Sequence, residues 1–484
     1  MSTPALARRL ERRLGAAAVV RDRTALQVYD CDGLTSHRQT PALVVLPETT
    51  EQIAEAVRLC AEAGVPFTAR GAGTGLSGGA LAAEGGVLIV TTRMRTITQI
   101  DPANQRLTAQ PGVTNREISA AVARYGLYYA PDPSSQVVCT IGGNVAENSG
   151  GAHCLKYGFT TNHVLSVELV TPAGEVVTLG SELAEVPGYD LRGLVVGSEG
   201  TLGIVTSVTV RLLPLPERVR TMVADFTSPT AAGEAVSAIV AAGITPAAVE
   251  MMDALAIEAC EQATGAGFSP DAGAVLIVEL DGPSAEVESE FAHVERLCRT
   301  HGATGVRVAY DDAERELIWR GRKAAFAAMG RLSPDYLVQD GVIPRTRLGE
   351  VLTRMARLAD EAHLRVANVF HAGDGNLHPL VLYDASVPGE TERAEELSAS
   401  IIALCVEVGG SITGEHGVGV DKACAMPLLF GEEDLAVMAR IRDAFDPNGL
   451  CNPGKVLPTP RLCGDKPGKY RPHPLEAAGV VDRW

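Results

Sequence analysis

The stretch "ARGAGTGLSGGA", residues 69–80, decides how the first half of the chain reads. Residues 73–78, "GTGLSG", have the Gly-x-Gly-x-x-Gly spacing of a dinucleotide fingerprint, but that fingerprint requires the third glycine to open a helix whose N-terminus holds a pyrophosphate. Here "GALAAEGG" leads instead into the apolar run "VLIVTT", a strand. Gly71, Gly73, Gly75 and Gly78, interleaved with Thr74 and Ser77, suit a loop whose backbone N–H groups wrap a diphosphate directly. Upstream, "PALVVLPETTEQIAEAVRLCAEAGVPFTAR" predicts a strand, a helix starting at the Pro-Glu-Thr-Thr segment with Glu51 in a capping position, and a second strand. Downstream, "TIGGNVAENSGG" (140–151) and "GSEGTLGIV" (197–205) read as two further loops that place backbone donors between strands.

A second motif, "VANVFHAGDGNLHPLVLYD" (366–384), has apolar and β-branched residues on either side of a Gly-Asp-Gly turn signal and predicts a β-hairpin. With Asp374-Gly375 as a two-residue loop, His371 faces His378 and the period of two puts Asn376 on the same face. "GGSITGEHGVGVDK" (409–422) adds Glu415 and His416. Two imidazoles and one carboxylate form a usual ligand set for a catalytic divalent ion. The residues alone also allow two structural histidines, or a metallohydrolase with a metal-bound water.

The chain has 484 residues, which predicts two or more domains. Its net charge of −17 argues against nonspecific nucleic-acid binding and repels small anions, so a carboxylate substrate needs local positive charge from a metal or an arginine. No apolar run is long enough to span a bilayer, and "MSTPALARRLERRLGAAAVVRDR" suits a surface helix better than a signal peptide; the expected location is cytoplasmic. Ten dispersed cysteines without a Cys-x-x-Cys pair read as reduced, mostly buried thiols and offer no iron–sulfur site. Pro214, Pro216 and Glu217 mark a boundary, and from about 219 to 383 strands alternate with helices in the rhythm of an α+β domain with an antiparallel sheet.

"PALVVLPETTEQI", "ARGAGTGLSGGA", "TIGGNVAENSGG" and "GSEGTLGIVT", in this order and spacing, resemble the FAD-binding domain of the vanillyl-alcohol oxidase / p-cresol methylhydroxylase superfamily. The resemblance implies an α+β fold: a two-subdomain FAD-binding domain at 38–216, after an N-terminal helical segment at 1–37. A substrate (cap) domain with an antiparallel sheet and the metal site follows at 217–430, and a C-terminal helix and tail at 431–484 return to the FAD domain. It also implies that Gly71, Ala72, Gly73, Thr74, Gly75, Ser77 and Gly78 bind the pyrophosphate. Thr140, Gly142, Gly143, Asn144, Asn148, Gly150, Glu199, Gly203, Ile204 and Asn452 complete the pocket. Some members attach flavin through a histidine in the first loop; none stands there in this sequence, so FAD is expected to be non-covalent.

"FHAGDGNLHPLVLYD", "GEHGVG", "LIWRGRKAAF" and "DPNGLCNPGK" resemble the branch that holds the FAD-linked subunit of glycolate oxidase, D-lactate dehydrogenases and D-2-hydroxyglutarate dehydrogenase. That resemblance implies one divalent ion, expected to be zinc, on His371, His378 and Glu415. Its substrate would be glycolate or a small (D)-2-hydroxy acid chelating the ion through hydroxyl and carboxylate, with hydride leaving for the flavin. His416 would take the hydroxyl proton, Arg322 would pair with the carboxylate, and Asn376 would orient the acid. D-2-Hydroxyglutarate dehydrogenases carry a lysine where "YLVQDGVIP" places Val338, which favours glycolate or D-lactate over the five-carbon diacid. With no cluster of its own, the chain is expected to pass electrons either to an iron–sulfur subunit and a second flavin-domain subunit, as the resembling glycolate oxidases do, which would also tie it peripherally to a membrane, or to a quinone, cytochrome or dye. The rival readings are D-lactate or D-2-hydroxyglutarate dehydrogenase, a metallohydrolase, and a non-catalytic flavin-binding assembly subunit.

Overall fold

The computed structural model describes residues 2–183 and 187–459, so the proline-rich end of the expected C-terminal tail lies outside the described residues. The chain divides into two compact units. The first takes Met1–Ser149, Phe159–Pro214 and Glu415–Trp484, and the second takes Gly150–Gly158 and Leu215–Gly414. The break near Pro214 falls close to the expected 216, but the second falls at Gly414/Glu415 instead of 430, and 150–158 leaves the first unit for the second.

The first unit opens with helix α1 (Thr3–Leu14), whose Leu6, Leu10 and Leu14 recur every four residues and therefore share one face. That face is buried in the same core as Ile53, Val57 and Cys60 of α2 (Thr50–Ala63), so α1 is part of this unit's core rather than a separate surface helix. Thr49 caps α2 by accepting from the Gln52 N–H (3.3 Å), the Gln52 side chain accepts in return from the Glu48 N–H (2.7 Å), and the Glu51 carboxylate takes part in the cap through the Thr49 hydroxyl. Strands β1 (Leu43–Val45) and β2 (Phe67–Arg70) run parallel on either side of β3 (Val87–Val90). The connection from β2 to β3 is the glycine-rich loop, with no helix between them.

A second sheet in this unit has the order β4 (Ile97–Asp101), β5 (Arg106–Ala109), β8 (Ile204–Arg211), β6 (Val164–Val170), β7 (Val176–Gly180). Helices α3 (Asn115–Val122) and α4 (Ile141–Glu147) contribute Ile118, Val122, Ile141 and Val145 to its core. The stretch expected as a second loop is thus mostly a short helix, started by Thr140, whose hydroxyl accepts from the Gly143 N–H (3.4 Å).

The second unit is an eight-stranded sheet. Its path runs β12 (Gly305–Val308), β9 (Arg218–Phe226), β11 (Ala274–Gly282), β10 (Ala248–Asp253), β14 (Arg365–His371), β15 (Asn376–Tyr383), β13 (Asp335–Val338), with the short eighth strand Gly341–Val342 pairing with β15 beside this path, every pairing antiparallel. Met222, Leu276, Met251, Phe370 and Val381 bury one face against α5 (Pro229–Ala241), α7 (Ser284–Thr300), α9 (Leu348–Ala362) and α10 (Glu390–Glu407). Val223, Ile277, Met252, Val369 and Leu380 bury the other against α6 (Ala254–Thr264) and α8 (Asp312–Lys323). Covered on both sides, the central strand β11 reads as the unbroken apolar run "AVLIV".

Among the described residues eight cysteines are free thiols, seven of them buried, as expected from the sequence. Cys424 is in a disulfide, against that expectation.

Candidate active site

The histidine hairpin forms, but its loop has four residues, Ala372–Gly375, and its register pairs His371 with Asn376 and Val369 with His378. The expected two-residue turn fails because residues beside the hairpin claim its tip. The Gly373 N–H donates to Val249 O (3.2 Å), and Gly375 O accepts from the Ile343 N–H (3.0 Å). The register slips by two, which leaves every side chain on its expected face. His371, His378 and Asn376 still converge, with the two imidazole centroids 5.0 Å apart. All three are buried, and Asn376 Oδ1 has no hydrogen-bond partner among the described residues.

On the same face, Glu250 stands opposite His371 on β10. One carboxylate oxygen meets His371 Nδ1 at 2.7 Å and the other meets Arg322 Nη2 at 2.6 Å. Burial by itself would raise the Glu250 pKa; the Arg322 guanidinium and His371 outweigh it and hold the carboxylate below its usual range. Glu250 thereby fixes the His371 tautomer, with Nδ1–H toward the carboxylate and Nε2 turned the other way, an arrangement common behind metal-ligating histidines. Arg322, expected to meet a substrate carboxylate, is thus already paired through Nη2, while its buried Nε has no hydrogen-bond partner among the described residues. Asp340, also buried, accepts from Thr413 Oγ1 (2.5 Å) and the Gly414 N–H (3.0 Å), and lies 3.8 Å from His378 Nε2. Glu250 and Asp340 were not anticipated, although an acid inside the apolar run "AAVEMM" is itself a signal. Val338 faces Leu380 and packs in an aliphatic cluster. Glu415 and His416 open the segment that returns to the first unit, with His416 Nε2 4.0 Å from Glu415 Oε1.

The glycine-rich segments meet inside the first unit. Gly71, Gly142, Gly143, Glu199, Gly203 and Ile204 line one cleft together with Gly79, Pro111, Glu147 and Ser198. Close approach explains the glycines. A Cβ on Gly71 would collide with Thr140 Oγ1, and one on Gly142 would sit 2.5 Å from Pro111 Cβ. Ala72 to Gly75 and Gly78 continue along the first loop, where Gly73 (φ 72°) and Gly78 (φ 74°) need the left-handed region. Several expected pocket residues have their polar atoms engaged elsewhere and brace the loops. The Ser77 hydroxyl accepts from the Gly79 N–H (3.3 Å), and the Asn144 amide donates to Asn115 Oδ1 (2.5 Å). Asn148 Oδ1 accepts from the Thr161 N–H (2.9 Å). Asn452 Nδ2 donates to Gly79 O (3.0 Å) and Glu199 O (2.6 Å), and its Oδ1 accepts from Thr68 Oγ1 (3.0 Å). Thr140 acts as the helix cap, and Gly150 belongs to the other unit.

A cleft walled by glycine backbone and a second unit with a buried histidine pair describe a flavin-dependent oxidoreductase. Residues 41–180 match the family described as FAD binding domain, and residues 215–456 match the FAD linked oxidases, C-terminal domain; the chain belongs to this family of FAD-linked oxidases. It is 53% identical over 437 residues to the glycolate oxidase subunit GlcD of Escherichia coli (strain K12), covering 90% of this chain and 88% of that protein. Identity to GlcD of Bacillus subtilis (strain 168) is 39% over 89% and 92% of the two chains, and to a D-lactate dehydrogenase of Anaerostipes hadrus 34% over 86% and 89%. Among solved structures, p-cresol methylhydroxylase superposes with a TM-score of 0.79 at 17% identity, covering 94% of this chain and 96% of that one. The 4-ethylphenol oxidase from Gulosibacter chungangensis gives 0.78 at 19% identity over 94% and 97%. These two share the fold. The protein is an FAD-linked enzyme of the hydroxy-acid oxidase and dehydrogenase type, and among the described residues no helix is long and apolar enough to cross a membrane.

Proposed function

We propose that this enzyme oxidises glycolate, or a similarly small (D)-2-hydroxy acid such as D-lactate, to the 2-oxo acid. The observation that carries this reading is the 53% identity to GlcD along 90% of the chain. When bound, FAD takes up the hydride from the substrate carbon, and a divalent ion, zinc in this reading, lowers the pKa of the substrate hydroxyl. We assign that ion to His371, His378 and Glu415. The Glu250 bond to His371 Nδ1 supports the assignment by presenting Nε2 as a ligand. Glu415 is one peptide bond from Gly414, whose N–H is held by Asp340 beside His378, so the chain's own connectivity favours it as the third ligand.

Arg322 holds the substrate carboxylate through its unpartnered Nε side, and Glu250 keeps the guanidinium in place. Asn376, on the same face of the hairpin as the two histidines and with Oδ1 unpartnered among the described residues, orients the acid. His416 takes the hydroxyl proton as the C–H bond gives up its hydride. FAD is held non-covalently, because the loop at 71–80 contains no histidine. Electrons leave through an iron–sulfur subunit and a second flavin-domain subunit, consistent with the relatives being named as subunits, and in this reading the protein is cytoplasmic, reaching a membrane only through such a partner.

The test is dye reduction by the purified protein with glycolate, D-lactate and D-2-hydroxyglutarate. Val338 packs among hydrophobic side chains and itself brings no charge to a second carboxylate. One missing charged contact lowers transition-state binding by about 2 to 4 kcal/mol, so either small acid should exceed the diacid roughly 30- to 1,000-fold in kcat/KM. A preference for the diacid would overturn the substrate assignment.

A further inference from the structure

One group in the FAD cleft has no part in the chemistry above. Glu147 ends α4, four residues after Gly143, so both lie on the helix face that lines the cleft. Glu199, from the loop before β8, comes in beside it. A Cβ on Gly79 would sit 2.7 Å from Glu147 Oε1 and 3.6 Å from Glu199 Oε2, and one on Gly417 would collide with both carboxylates. Two carboxyl groups therefore share one pocket. The Glu199 oxygens accept from the Val418 (2.6 Å) and Gly419 (2.7 Å) N–H groups, whereas Glu147 accepts from a hydroxyl, Ser77 Oγ, at 3.4 Å. Backbone donors on Glu199 favour its ionised form and leave Glu147 as the neutral, proton-carrying member.

We infer that the Glu147–Glu199 pair carries one shared proton in the FAD cleft and that FAD binding is coupled to keeping it, with Glu147 as the acid wall that must be neutral beside the cofactor's diphosphate. Burial, then the neighbouring Glu199 and Asp32 charges, raise the Glu147 pKa well above the carboxylate range; burial raises Glu199 to about 7 against its two backbone donors. The other charged groups acting on the pair are Asp32, Lys422 and Lys455, and Arg70 in turn faces Asp32. Lys455, bonded to Leu81 O at 2.9 Å, is lowered to about 8, chiefly by burial. Glu147 keeps partial solvent access through the cleft. Filling the cleft closes that access and adds negative phosphate charge, and both effects raise the pair's proton affinity further. Below the free protein's pKa both forms hold the proton and affinity is independent of pH. Above it, FAD must bind together with a proton, so affinity falls as pH rises through the free protein's pKa for this proton toward the higher pKa of the bound form.

The experiment dilutes purified holoenzyme at pH 6, 7, 8 and 9 and reads released FAD by its recovered fluorescence. The dissociation constant of the wild type should be flat below the free protein's pKa for this proton and rise by up to about tenfold per pH unit above it, so that it is larger at pH 9 than at pH 6. Glu147→Gln, isosteric with the neutral acid, should match the wild type at pH 6 and stay flat, so that it holds FAD more tightly than the wild type at pH 9. A Glu147→Gln protein with the wild-type slope would place the proton on Lys455 or elsewhere, and weak retention by that variant at pH 6 would reduce Glu147 to a structural brace; either result overturns the inference. FAD retention is read without any substrate, so this test stands apart from the identity of the acid oxidised.

Discussion

Glu250 shows what a single residue contributes here and why sequence reading passed over it. It sits in "AAVEMM", where period two puts it on the same face as Met252 and Ala248, and its counter-charges lie 72 and 121 residues away, at Arg322 and His371, beyond any local pattern. His371, His378 and Asn376 were legible because one hairpin brings them together, and Arg322 because its motif "LIWRGRKAAF" is distinctive. The bond that fixes Arg322 was not. Glu250→Gln would leave the Arg322 charge buried without its partner, which costs about 3 to 5 kcal/mol, whereas Glu250→Gln with Arg322→Met removes both charges and should recover most of that loss. Urea unfolding of the wild type and both variants checks this. Equal destabilisation by the single and double changes would show that the pair is not energetically coupled.

Elements tell two different stories. In α4 the glycines of "TIGGNVAE" lower helix propensity, and the segment reads as a loop. It is helical because Thr140 caps it locally, while Gly142 fits against Pro111 and Ile141 and Val145 bury into the sheet's core, two interactions that depend on distant chain. In α1 the leucine spacing was legible, but its destination was not. Leu6 and Leu10 are fully buried with Ile53 and Val57, so this helix is part of the first unit's core. Leu10→Ala should therefore lower stability by about 2 to 5 kcal/mol, while the exposed Arg12→Ala should stay within about 0.5 kcal/mol. A shift in the urea midpoint no larger for Leu10→Ala than for Arg12→Ala would place α1 outside the core.

For the whole chain, the order of motifs gave the two kinds of unit, but not their discontinuity: 150–158 and the segment from Glu415 change units without any proline, glycine or charge signal that distinguishes them from ordinary loops. What the full sequence does fix is a net charge of −17, carried by a protein we propose acts on small anions. In the proposed function Arg322 acts at contact range, whereas the summed field of the chain acts over several ångströms and repels a small anion before it arrives. Salt shortens that field, with a Debye length falling from about 30 Å at 0.01 M to about 8 Å at 0.15 M. If the potential at the mouth of the site is about one kT, its removal raises the local concentration of a monoanion two- to threefold. The kcat/KM for glycolate or D-lactate should therefore rise by roughly that factor between 10 and 150 mM NaCl, and the rise for the dianion D-2-hydroxyglutarate should be roughly its square, since its energy in the same field doubles. Dye-reduction assays across the salt series measure both slopes. A fall in kcat/KM with salt would mean that positive groups around Arg322 govern the approach and that the net charge is not felt there.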